Sequence, residues 1–136
     1  MGAMDMQSTD LPSLAQMQAM AERSLARLPA HFREHLTDIV LRVTDFATPE
    51  QLEAVGIDNR WNLSGLYEGR PLPEKSVWDH SDMPPAITLF RKPLLREWQE
   101  TGVDLENLVH HVVVHEAGHH FGFSDEDMHQ LEDEAD

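Results

Sequence analysis

The chain has no cysteine among its 136 residues. Disulfide staples and thiolate metal sites are therefore impossible, and any bound metal must be held by His, Asp or Glu. The lack of disulfides accords with a cytoplasmic location, which is the expectation here. Positive charge is scarce: 10 Lys and Arg stand against 25 Asp and Glu, for a formal net charge of -15. Such a surface repels phosphate backbones and anionic headgroups, so neither nucleic acid nor a membrane is expected as a partner. No apolar run approaches the length of a membrane span. The first residues, MGAMDMQSTD, lack the basic and apolar regions of a secretory signal, and Gly2–Met4 read as a cloning remnant. A disordered N-terminus over 1–10 is expected, followed by a single domain over 11–136, with an apolar share of 40% that suffices for a modest core. The composition leaves the oligomeric state open.

Along the chain, Leu14, Met17, Ala21, Leu25 and Leu28 recur at three- and four-residue steps, which predicts a helix with one apolar face ended by Pro29. His31–His35 is expected to form a further helical turn. Ile39, Leu41 and Val43 alternate with Val40, Arg42 and Thr44, the pattern of a strand. Thr48, Pro49 and Gly56 supply the cap, first turn and stop of a short helix. Residues 57–85 are rich in Gly, Pro, Ser, Asn and Asp and read as loop, with a short strand at Leu66–Glu68 and with Trp61 and Trp78 pinning the loop to the body. AITLFRK reads as a strand closed by Pro93, and as a candidate edge strand at a cleft; LLREWQE follows as a brief helix.

The strongest pattern is HHVVVHEAGHHFGFSDEDMH, which holds six of the nine histidines. Asp104 is placed to cap a helix whose buried stripe is Leu105, Leu108, Val109 and Val112, and Gly122 to end it. Ser124 then caps a last short helix, with Met128 and Leu131 at helical spacing. His115 and His119 lie one turn apart on one face, so their imidazoles can converge on a single ion. Glu116 is displaced by about 100° around the axis, which suits a general base better than a third ligand. Gly122 lets the chain double back, and Asp125 three residues later is the preferred third ligand, with Glu126, Asp127 and His129 as rivals. His111 lies one turn before His115 and is weighed as a supporting group against an ordinary surface histidine. His110 and His120 are expected to be solvent-exposed. Tyr67 and His80 are candidates for polarising a substrate carbonyl.

HEAGHHFGFSDEDM, preceded by TGVDLENLVHHVVV, resembles the small bacterial zincin-like metallopeptidases, as do GLYEGRPL at residues 65–72 and AITLFRKPL. The resemblance covers about residues 30–130, with its core at 105–128. It implies an α+β domain, a minimal zincin in which a small mixed sheet packs on an active-site helix followed by a short C-terminal helix. It also implies zinc held by His115 and His119 with Asp125 as third ligand, and Glu116 as the catalytic glutamate. Metzincins share the spacing but usually carry His where Asp125 stands. The leading expectation is thus a zinc-dependent hydrolase of peptide bonds, acting on a peptide or protein substrate. One alternative is a non-catalytic, metal-stabilised binding or adaptor domain with a closed four-ligand site. Another is an RNA hydrolase, which Glu116 and the acidic charge disfavour.

Overall fold

The computed structural model describes residues 11–69 and 84–122. Helix α1 (Leu14–Ala26) begins at Ser13, whose side chain accepts from the Gln16 amide while the Gln16 side chain accepts from the Ser13 amide. This reciprocal pairing satisfies two of the donors that a helix start leaves open. A helical turn, α2 (Ala30–Arg33), follows Pro29. Strand β1 (Val40–Thr44) leads to α3 (Pro49–Val55), which has the same box between Thr48 and Gln51 and ends at Gly56 with φ 70°. A 3₁₀ turn at Arg60–Asn62 precedes β2 (Gly65–Glu68). Strand β3 (Ala86–Phe90) runs directly into α4 (Arg91–Thr101), and α5 (Leu105–Phe121) completes the described chain.

The sheet has the order β1-β3-β2, with β1 parallel and β2 antiparallel to β3. It is the small mixed sheet of an α+β domain, as the resemblance implies. Helix α5 packs against β2 and β3 on one side and against α1 and α4 on others. Val109, Val113 and Ala117 are fully buried between these layers, with Ile87, Leu89, Leu94 and Met17. Each of the larger aliphatic side chains stabilises the fold by roughly 1.5–3 kcal/mol through burial. No helix of the described residues is long and apolar enough to cross a membrane.

Several expectations change here. Leu14 is 41% exposed, because α1 starts at that residue and its first turn overhangs the core. The strand at 86–90 is central: every residue is buried, so Thr88 and Phe90 are covered as fully as Ile87 and Leu89. It therefore cannot serve as a cleft edge; β2 is the edge strand on that side among the described residues. Pro93 does not terminate the strand but sits buried in the first turn of α4, where a missing amide costs no intrahelical bond. Val112 is only partly buried, while Val113 and Val114 are deep, so α5 is apolar around most of its circumference. Trp61 does pin its loop, meeting Phe46 edge-on at 4.8 Å between centroids and lying beneath the Arg96 guanidinium at 5.1 Å. Trp78, His80 and the expected last helix lie outside the described residues.

Candidate metal centre

Helix α5 has its expected ends. The Asp104 side chain accepts from the Asn107 amide at 3.2 Å, and Gly122 closes the helix with φ 71°. That left-handed geometry suits glycine and ends the helix just after its last histidine, His120. Between these ends the open positions form one narrow stripe. Asn107, His111, His115 and His119 follow each other at four-residue steps; His115 is half-buried and the other three are exposed. The rings of His115 and His119 are 5.0 Å apart, and those of His111 and His115 stack at 6.5 Å.

Glu116 sits beside this stripe but is only 8% exposed. The ligand atoms of His115, Glu116 and His119 all lie within 4.8 Å of one another. The two imidazoles are donors that suit zinc, and the Glu116 carboxylate lies close enough to act beside an ion that they hold. The residues present therefore fit the metal that the resemblance implies. Asp125, Glu126, Asp127 and His129, the expected third ligand and its rivals, lie outside the described residues.

Burial pushes the Glu116 carboxyl up from 4.5 to about 7, against the opposing pull of a hydrogen bond from the Tyr67 backbone amide. That amide belongs to β2, so the edge strand positions the glutamate. Gly65 makes the approach possible: a Cβ there would overlap Val112 Cγ1 on α5, while Glu116 Cγ would lie in ordinary contact at 3.6 Å. Periodicity and spacing point to neither the Tyr67 amide nor Gly65, although both lie in the GLYEGRPL segment that carries part of the resemblance. A backbone donor has no residue signature, and Gly65 lies in a stretch where loop glycines are ordinary.

His110 and His120 are not solvent-exposed as expected; they are 3% and 2% exposed. His110 Nδ1 pairs with Ser24 Oγ on α1. His120 Nε2 lies 3.1 Å from the His35 carbonyl and Nδ1 lies 2.8 Å from the Tyr67 hydroxyl. A carbonyl only accepts, so Nε2 carries the proton and the Tyr67 hydroxyl donates to Nδ1. Tyr67 is thus a packed tyrosine tying β2 to α5, and burial raises its pKa. A helix with one apolar face would turn both histidines outward; this helix has neighbours on most sides, so they turn into packed interfaces.

Beside the stripe opens a cleft of about 320 Å³ whose floor includes His115 and Glu116. Its walls come from Asn62, Leu63 and Ser64 ahead of β2, Gly65 at the start of β2, Glu97 on α4 and His111 on α5. This volume is at the lower end of ligand-pocket sizes, enough for a segment of substrate rather than a large cofactor.

No curated protein matches the chain. The family model described as zincin-like metallopeptidase matches residues 36–135, a stretch that takes in β1, β2, β3 and the whole histidine helix. With a match over most of its length, and with His115, Glu116 and His119 gathered on one helix beside an edge strand, the chain belongs to the zincin-like metallopeptidase family.

Proposed function

We propose that the protein hydrolyses peptide bonds with zinc held by His115 and His119, with Asp125 as the third ligand. The observation that carries this reading is the convergence of His115, Glu116 and His119, of which His115 and Glu116 also line an open cleft. Zinc bound there supplies Lewis acidity and lowers the pKa of a water molecule towards about 7. Glu116 accepts a proton at its carboxylate and later returns it to the departing amine. Its hydrogen bond from the Tyr67 amide and its burial fix the carboxylate against the cleft floor. The edge of β2 offers backbone groups to an extended peptide, which can add to the sheet as a strand. The partner is thus a peptide or protein substrate.

Metal content by mass spectrometry on untagged wild type and His119→Ala tests the site, followed by a peptide-library screen with Glu116→Gln as control. About one zinc per wild-type chain, lost in His119→Ala, and hydrolysis lost in Glu116→Gln are the expected results. Stoichiometric zinc in His119→Ala, or hydrolysis undiminished in Glu116→Gln, would overturn the reading.

A further inference from the structure

The cleft beside His115 and Glu116 has an uneven distribution of charge. Of its lining residues, Glu97 is the one formally charged side chain besides Glu116, and among the described residues no Lys or Arg lines it. Glu97 is exposed on α4, and among the described residues its carboxylate has no ion-pair or hydrogen-bond partner; its backbone carbonyl accepts from Thr101. The adjacent cation, Arg96, is held elsewhere: its guanidinium donates to the Trp61 carbonyl at 3.0 Å and lies over the indole. A neighbouring hollow shares Asn62, Ser64 and Glu97 with the cleft; it is lined by both Glu100 and Arg96, so the cation stands on the hollow's side of the shared wall and not in the lining of the cleft. Asn62 and Ser64 give the shared wall neutral hydrogen-bonding groups without offsetting the negative charge.

We infer that this cleft is a specificity subsite that takes a cationic side chain, Lys or Arg, of the peptide substrate, with Glu97 as its charge partner. The inference rests on the peptidase reading for its position along the substrate. The physical case is independent of hydrolysis. A carboxylate on the wall of a cleft, in a protein of net charge -15, attracts cations and repels acids before any contact is made. A long aliphatic stem can lie against Val112 and Leu63, both in the lining, while the charged head reaches Glu97. An acidic side chain entering the same cleft would meet the Glu97 carboxylate with no Lys or Arg among the lining residues to offset it, and be disfavoured.

The test measures binding and cleavage separately. Zinc-loaded Glu116→Gln protein is titrated with fluorescent extended peptides that differ at one position, carrying Arg, Ala or Glu there, with that position moved stepwise along the peptide. At one position Arg is expected to bind about five-fold tighter than Ala, with Glu weakest, and the preference should shrink as salt rises. Glu97→Gln should abolish the Arg preference, and Glu97→Lys should turn it towards Glu. The same peptides are then given to the protein with Glu116 intact. Arg-selective binding that depends on Glu97 without any hydrolysis would uphold the subsite and sink the peptidase reading. Hydrolysis with no basic preference, a preference surviving Glu97→Gln, or no peptide binding at all would overturn the subsite.

Discussion

Two sets of histidines on one helix meet opposite fates. His110 and His120 are buried and hydrogen-bonded to Ser24, Tyr67 and the His35 carbonyl. His111, His115 and His119 follow one four-residue row along the side of α5 that its neighbours leave open. Residue type, and even immediate adjacency in sequence, does not separate the two sets. Phase around the helix does: a step of one residue turns a side chain by about 100°, enough to pass from the cleft to the packed interior. The inner pair holds α1 and β2 to α5, and the outer row faces solvent, where a metal and a substrate can arrive.

If the two sets differ in this way, substitutions beside the outer row should act on chemistry and substitutions of the inner pair on stability. Glu116→Gln should lower peptide hydrolysis by about 10²–10⁴-fold, measured as kcat/KM, while leaving zinc content unchanged by mass spectrometry. His120→Ala removes a hydrogen-bond partner from the Tyr67 hydroxyl and the His35 carbonyl and opens a cavity between α5 and β2. A loss of roughly 3 kcal/mol is expected in urea denaturation of the metal-free protein.

A comparable effect should appear with pH. Glu116 is raised from 4.5 to about 7 in the folded protein. Folding therefore favours its protonated form, so its contribution is complete below pH 4.5 and is lost as pH rises through about 7. The difference corresponds to roughly 3 kcal/mol. Metal-free wild type should thus lose stability between about pH 5 and pH 8 relative to Glu116→Gln, and parallel pH profiles for the two would refute the burial argument. Bound zinc should flatten the difference, because a cation beside the carboxylate stabilises its charged form.

Gly65→Ala should cost about 1–3 kcal/mol by pushing β2 from Val112, and should also loosen the Tyr67–Glu116 bond. Reduced hydrolysis beyond the loss in folded fraction would distinguish the second effect from the first. The smallest change is expected for His111→Ala, on the outer row: within about 0.5 kcal/mol in stability. A loss as large as that of His120→Ala would erase the distinction between the two sets.

Much of the fold and of the site is legible in the residues themselves. The helix ends at Asp104 and Gly122 and at Thr48 and Gly56 are local chemistry, and they stand where the residues put them. The strand at Val40–Thr44 follows its alternation. The departures share one origin. Alternation suggests a two-sided strand at Ala86–Phe90, but both faces are covered: Ile87 and Leu89 lie in the main core, and Phe90 packs in a second small cluster with Ala47, Leu66, Leu52 and Leu63. A narrow apolar stripe suggests exposed His110 and His120, but α5 is enclosed by α1, α4 and the sheet.

That His115 and His119 share a helical face, that Glu116 lies beside them, and that the chain turns at Gly122 all follow from local sequence. They come from the 3.6-residue period and from the φ that glycine permits. Long-range packing settles the rest: which side of that helix is open, that a backbone amide from β2 meets Glu116, and that Glu97 and His111 line the same cleft. Periodicity fixes the angles between side chains on one helix; what each angle faces depends on segments tens of residues away, brought together by the burial of the core.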